Sequence, residues 1–562
     1  MNVLDYGVLF GTLAFIVIYG VYKTRGADNL EQYLRGGNTL KWGTIGLSVM
    51  ATQASAITFI STPGLAYESG MAFVQNYFGL PFALIIVSLI FIPMYYKLKV
   101  YTAYEFLERR FDQKTRLLGA FLFLVQRGLA AGITIYAPAI ILSTILGWKL
   151  AWMILLVGIL VIVYTVSGGT RAVSVTQKHQ MTVILIGMLV AFGYILYYLS
   201  PFVSFGEALH IAGVADKLTT IDFSFSSEKR YTVWSGLLGG LFLALSYFGT
   251  DQSQVQRYLG GRDTSESKLG LMFNAVLKIP MQFFILLIGV LLYVFYVFYP
   301  SPVYFNQTAL SQVSDKNYTA YQQATADHQS TSKAVKVNAL AYRDALQNAE
   351  EAETLASRNN LVLSMEQEKE RRAAMKNLVA EYTNTKTKDS DYVFLSFILN
   401  YLPHGLIGLL LAVILSAAMS STSGELNALA TTSMMDFFKT IFPNTTDSQS
   451  EVLISKLLTI IWGGLAIGFA FWAHRSENLI EMVNILGSIF YGVILGVFLL
   501  AFFVPRATGD GVFWAAVVSQ IGVIVLYNTT AIGYLWFNVI GCLGVVLLAA
   551  LHGLIFVVQP EK

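Results

Sequence analysis

Gly408 to Lys439 reads GLLLAVILSAAMSSTSGELNALATTSMMDFFK. The run is long enough and apolar enough to cross a bilayer as a helix. Its middle, however, is Ser-Ser-Thr-Ser-Gly-Glu. Hydroxyls and a carboxylate at that depth are costly unless they face a cavity, an ion or a partner helix. Ser420, Ser421 and Ser423 are oxygen donors of the kind that suits hard cations. Small hydroxyl residues also let membrane helices approach closely, so helix–helix contact is the competing reading.

The rest of the chain is of the same kind. Of its 562 residues, 55% are hydrophobic and only 13% charged. Apolar runs of about twenty residues recur along it, which makes a polytopic all-α membrane protein. Spans are expected near 3–22, 42–66, 73–97, 117–147, 150–167, 179–199, 233–252, 270–299, 396–435, 452–474, 480–504, 512–527 and 533–557. That is about thirteen by the length criterion. Cys542 is the single cysteine and the six histidines are scattered, so neither a disulfide framework nor a metal-ligand spacing emerges. A nucleotide-driven pump would need a glycine-rich phosphate loop between a strand and a helix, and no such loop is present. Nothing points to nucleic acid.

The distribution of charge orients the chain. No basic residue precedes the first apolar run, and Lys23 and Arg25 follow it, so it reads as a span rather than a cleavable signal. The positive-inside rule then puts the N-terminus outside and the C-terminus inside. On that parity the inner loops hold Arg35 and Lys41, then Lys97, Lys99, Arg109, Arg110, Lys114 and Arg116. Further inner loops hold Arg171 and Lys178, then Arg257, Arg262 and Lys268. A multi-pass protein of the plasma (inner) membrane is expected.

Residues 300–392 interrupt the pattern. They are rich in Ala, Glu, Lys and Gln and favour helix. Ser357–Asn360 looks like the break between two helices of a hairpin, which parity places outside. It is either a solvated decoration or a docking surface for a partner protein.

A second polar span is Trp42–Gly64, WGTIGLSVMATQASAITFISTPG. Thr52, Gln53, Ser55, Thr58 and Ser61 interrupt it, and Pro63-Gly64 follow. An interrupted span exposes backbone carbonyls, which is tolerated only where they line a cavity. Secondary transporters place such broken helices at the solute and ion site.

Several motifs then fall into order: YLRGG at 33–37, SAITFISTPG at 55–64, TAYEFLERRF at 102–111 and GITIYAPAIIL at 132–142. GGTRAV at 168–173, YFGTDQSQVQRYL at 247–259, AAMSSTSGELNAL at 417–429 and GVILGVFLLAFF at 492–503 continue the series. In this order they resemble the sodium/solute symporter family, nearest to its iodide, monocarboxylate, multivitamin and sialic acid branches. The resemblance covers nearly the whole chain outside 300–392.

The resemblance implies a LeuT-type inverted repeat of five plus five helices, with one extra N-terminal and two extra C-terminal helices. The chain would then divide into 1–41 (extra helix and inner loop), 42–299 (core helices 1–7), 300–392 (insertion), 393–505 (core helices 8–10) and 506–562. It also implies a sodium site made by the carbonyls of Ala51, Ala54 and Ala417 and the hydroxyls of Ser420 and Ser421. A second sodium site of some members departs here. Gln177 stands where an aspartate is expected, Gly424 where a serine is, and only Ser423 is kept. One sodium ion per cycle is therefore expected, with Ser423 and Glu425 as an alternative cation or proton site.

The positions matching the solute site are Ser55, Thr58, Gln75, Asn76, Lys278 and Asn484, with Tyr247 and Phe248 at the aromatic gate. Arg127 lies about ten residues into its helix, or ~15 Å from the inner surface. A guanidinium at that depth needs an anion: either a solute carboxylate or Glu425. Asp251 and Arg257, near the inner end of their helix, look structural. The expected activity is sodium-coupled symport of a small organic solute, carboxylate-bearing or sugar-like, by alternating access. Rival readings are a membrane sensor on the same fold, or a proton-coupled symporter using Glu425. An enzyme would need a convergent set of acid, base or nucleophile, which does not stand out.

Overall fold

The computed structural model describes residues 1–24, 40–348, 350–383, 388–442, 448–473 and 478–555. Among them the chain is helical, with no strand. The YLRGG motif lies outside the described residues, as do the side chains of GGTRAV and Thr176.

The membrane part runs through α1 (Val3–Thr24), the pair α2 (Trp42–Gln53) and α3 (Ala56–Ser69), α4 (Ala72–Leu98), α5 (Gln113–Leu146) and α6 (Leu150–Leu199). It continues with α7 (Ser235–Gly249), α8 (Gln252–Leu259) and α9 (Thr264–Phe298). The inserted α10 (Tyr318–Asn348) and α11 (Glu351–Thr383) follow, then α12 (Val393–Tyr401) and α13 (Leu406–Ile441). Last come α14 (Ser448–Ala473), α15 (Leu479–Phe503), α16 (Gly509–Thr529) and α17 (Leu535–Ile555).

Among the described residues, nine helices are long and apolar enough to cross a membrane, ten if a bent pair counts as one span. Val3–Phe15, Leu150–Val166 and Ser235–Gly249 are shorter apolar helices. Each expected span falls on one of these segments, with two differences of detail. The spans expected at 150–167 and 179–199 are joined in the continuous helix α6. The span expected at 396–435 is two helices. α12 ends at Tyr401, and α13 starts after Gly405, whose φ of 87° suits glycine. Asp5 of α1 accepts from the Gly405 amide (2.6 Å) and so covers this turn.

Burial separates the centre from the lipid-facing rim. The apolar window of α13 is 83% buried and that of α5 is 78%, whereas that of α14 is 22%. α13 packs against α1, α2, α3, α5 and α6, which makes it the central post.

Helix ends follow local chemistry. Asp112 caps α5 by accepting from Thr115 N (2.8 Å), and Asp263 caps α9 by accepting from Glu266 N (3.0 Å). The first inserted helix ends at Asn348 and the second begins at Glu351, so Ser357–Asn360, expected to be the break, lies inside α11. The Ser357 hydroxyl donates back to the Glu353 carbonyl (2.6 Å), a bond compatible with an unbroken helix. The hairpin is tied to the membrane core: Lys336 Nζ donates to Phe298 O (2.9 Å) and Lys376 Nζ to Glu68 Oε1 (2.8 Å).

Candidate ion and solute site

The break in the second span is real. α2 ends at Gln53, Ser55 is extended, and α3 leaves at 53° to α2. No proline or glycine stands at the break, so local propensity does not cause it. Side chains take up freed backbone groups: Thr58 Oγ1 donates to Gln53 O (3.4 Å). α13 covers the break and supplies the Ser421 hydroxyl, which donates to Ala51 O (3.3 Å).

Ala51, Ala54, Ala417, Ser420 and Ser421 are all buried. Ser420 Oγ has no hydrogen-bond partner among the described residues. A buried hydroxyl left unpaired costs about 1–3 kcal/mol, so an oxygen-seeking cation beside it offsets a real penalty. These neutral oxygens fit a monovalent hard cation.

The positions of the second site are arranged otherwise. Gln177 Oε1 accepts from Ser48 Oγ (2.6 Å), and its Nε2 donates to Thr52 Oγ1 (3.4 Å), so its amide secures α2 to α6. A Cβ on Gly424 would lie 2.0 Å from Arg257 Nη2. Glycine is therefore what lets that guanidinium lie against α13, and a serine would collide with it. Gln256 Nε2 donates to Gly424 O (3.2 Å) from the same side. Ser423 Oγ has no hydrogen-bond partner among the described residues.

Next to the break is a cavity of about 90 Å³. Ser55, Asn76, Arg127, Asn484, Glu425, Tyr247 and Phe248 all line it. Thr58, Gln75 and Lys278 do not. Gln75 instead holds a loop, donating to Tyr231 O (3.2 Å) and accepting from Asp222 N (3.0 Å). Lys278 is buried behind Tyr77, a wall residue, with Nζ 5.1 Å from the ring centroid. Asn76 Oδ1 accepts from Tyr534 OH (3.3 Å), and Asn484 Nδ2 donates to Ile480 O (2.8 Å) in its own helix.

Arg127 dominates the electrostatics. Its Nη1 donates to Glu425 Oε1 (3.1 Å) and its Nη2 to Asp251 Oδ2. Nη2 also contacts Tyr491 OH (2.7 Å), which donates to Asp251 Oδ2 (2.7 Å). The Tyr247 ring lies 5.5 Å from the guanidinium carbon. Asp251 Oδ1 caps α8 through Ser253 N (2.8 Å). Glu425 Oε2 makes no hydrogen bond among the described residues, with Thr134 close by on the cavity wall. One cation thus sits between two carboxylates. Tyr491, Thr134 and the role of Asp251 here were not legible in the sequence. A tyrosine in a membrane helix is usually packing, and the Asp251–Arg127 pair spans 124 positions.

The sequence model of the sodium:solute symporter family matches residues 33–325 and 372–519, leaving the middle of the insertion unmatched. The sodium/sialic acid symporter of Proteus mirabilis (strain HI4320) is 25% identical over 100% of this chain and 96% of its own length. The human sodium-coupled monocarboxylate transporter 1 is 27% identical over 90% of this chain and 70% of its own length. A solved structure of a Na+-coupled sialic acid symporter, in a substrate-bound outward-open state, shares the fold. Its TM-score is 0.75 at 24% identity, over 99% of this chain and 98% of that one.

Proposed function

Since the chain belongs to the sodium:solute symporter family, a family of transporters, and couples a small organic solute to sodium, we propose that the solute is uncharged and rich in hydroxyl or amide groups. The observation that carries this reading is the double pairing of Arg127 with Asp251 and Glu425. A guanidinium already held between two carboxylates offers a third no net attraction. The three groups together carry one formal negative charge beside the cavity. A carboxylate-bearing solute would have to displace Asp251 or Glu425, at the cost of a buried unpaired charge. The remaining wall groups, Ser55, Asn76, Thr134 and Asn484, are neutral donors and acceptors.

One sodium ion per cycle is held by the carbonyls of Ala51, Ala54 and Ala417 and the hydroxyls of Ser420 and Ser421. This set joins α13 to the broken span, so sodium favours the arrangement that also forms the solute cavity. Each ligand then strengthens binding of the other by the same factor. The N-terminus faces outside, as the basic loops indicate.

Charge movement tests the reading. One sodium with a neutral solute moves one positive charge per cycle; one sodium with a monocarboxylate moves none. Proteoliposomes with a clamped potential and an imposed sodium gradient should show uptake of a neutral polyol or amide that inside-negative potential accelerates. Uptake confined to carboxylates would overturn the neutral-solute reading. A second reading rests on Glu425 Oε2, whose lack of a partner suits a proton. Uptake driven by a pH gradient without sodium would favour it.

A further inference from the structure

The segment that leads into α7 arranges its side chains in the reverse of a water-facing loop. Ile221, Phe223 and Phe225 occupy every second position and are all exposed, the two rings to 72% and 78%. The polar residues among them bond to one another. Asp222 Oδ1 accepts from Ser224 N (2.8 Å), and Lys229 Nζ donates to Asp222 Oδ2 (2.9 Å) and Ser224 Oγ (3.0 Å). Ser226 Oγ accepts from the amides of Glu228 and Lys229 (3.3 Å each).

The base of the loop is tied down, so the rings are held where they stand. Asp222 N donates to Gln75 Oε1 of α4 (3.0 Å), Val233 N to Asp222 O (2.9 Å), and Gly533 N to Ser227 O (2.7 Å). Trp234 Nε1 donates to Phe223 O (3.1 Å). The Phe225 ring lies 6.4 Å from that of Trp234 and 6.2 Å from that of Trp536. Trp234 immediately precedes α7 and Trp536 is the second residue of α17, so both stand where an apolar helix begins. Trp234 and, one turn on, Leu238 are exposed on the same face of this segment.

We infer that this loop is an anchor in the bilayer interface, with Phe223 and Phe225 inserted at the boundary between headgroups and acyl chains. Aromatic rings at the ends of membrane helices mark that level, and Trp234 and Trp536 set it here. The apolar patch runs on through Trp234 to Leu238, so the lipid that covers the open face of α7 also reaches the loop. Two phenyl rings held out in water are unfavourable, and a fixed apolar patch marks a surface that an apolar partner covers. Charge decides the kind of contact. Residues 219–231 carry two carboxylates, Asp222 and Glu228, and two cations, Lys229 and Arg230. With no net charge the loop has no preference for anionic headgroups, and the attraction is apolar. The anchor lies apart from the ion and solute site and does not depend on which solute is carried.

The test reads the surroundings of single side chains in the purified full chain, reconstituted in phosphatidylcholine vesicles. Phe223→Cys, Phe225→Cys and, at an exposed carboxylate as the water-facing control, Glu228→Cys are each labelled with an NBD fluorophore. Cys542 is buried, and labelling of the unsubstituted chain sets the background. Lipid brominated near the top of its acyl chains should quench the label at 223 and 225 about threefold more than at 228, as expected of interfacial rings. Added phosphatidylglycerol should change nothing. Quenching no stronger at 223 and 225 than at 228 would overturn the anchor, as would quenching that needs phosphatidylglycerol. A second copy as the occupant would show as label signals that follow the protein-to-lipid ratio and ignore bromine, which also refutes the proposal. If the cysteine variants do not fold, benzoylphenylalanine in place of Phe225 decides. Illumination should then yield a lipid adduct, and crosslinks to protein alone sink the idea.

Discussion

Arg127 and Asp251 form a buried ion pair that joins α5 to the start of α8, with side chains 3% and 0% exposed. Asp251 caps α8 with its other oxygen, so one carboxylate both ends a helix break and fixes the guanidinium. Glu425 completes the arrangement from the central post. Three segments far apart in sequence are held by one buried cation.

Breaking this arrangement on one side should be costly. Asp251→Asn or Arg127→Gln leaves a buried charge short of its partner, and such losses run to about 3–5 kcal/mol. The double variant Arg127→Gln/Asp251→Asn should be less destabilised than the sum of the two. A double-mutant cycle on unfolding midpoints checks this; strict additivity would mean the pair is not coupled.

Sodium should stabilise the folded protein where potassium does not. At ten times Kd the gain is about 1.4 kcal/mol, from RT ln(1 + [L]/Kd). Ser420→Ala/Ser421→Ala should abolish the sodium-specific rise in Tm while leaving the potassium baseline near that of the wild type. A full sodium response in that variant would exclude the proposed donors.

Sodium dependence of uptake should have a Hill coefficient near one. Gly424 is covered by the Arg257 guanidinium and Gln177 is engaged by Ser48 and Thr52. Gly424→Ser should therefore destabilise by about 1–3 kcal/mol, as an overpacked site does, without creating a second sodium site. A Hill coefficient clearly above one, persisting after Ser423→Ala, would contradict this.

Acid should favour the contact at Asp391 that joins α3 to the start of α15. This half-buried carboxyl accepts from Asn478 Nδ2 (3.0 Å), and Asn478 also donates to Ser61 O on α3 (3.2 Å). Burial pushes the Asp391 carboxyl up to about 6. A folded-state pKa above the unfolded value of about 3.9 means the folded form prefers the proton. The contribution is full below pH ~4 and is lost as pH rises through about 6. Tm should fall over that window, and Asp391→Asn should flatten the profile. An unchanged slope in the variant would assign the pH dependence elsewhere.

The fold was legible because a bilayer leaves few choices. Apolar length marks a span, and hydroxyls or a carboxylate within one mark a cavity or a contact. The polar run at Ser420–Glu425 and the interrupted span at Trp42–Gly64 were both readable on those terms, whereas the departure at Gln177 and Gly424 was visible only against the family pattern. The turn of the inserted hairpin was misjudged because Ser357–Asn360 carries residues that prefer turns. In a long helix their side chains can bond back to the backbone or face water, as Ser357 does.

The sequence by itself determined an all-helical membrane protein, the places of its apolar runs, and the two polar helices that pack against each other. Composition and order carry that information locally, within about twenty residues at a time. The tertiary structure alone decided which charges meet. Arg127 is 124 residues from Asp251 and 298 from Glu425, and its preference for either was open until α5, α8 and α13 were packed together. Electrostatic partners in a low-dielectric interior are chosen by proximity in space, and spacing along the chain does not report it.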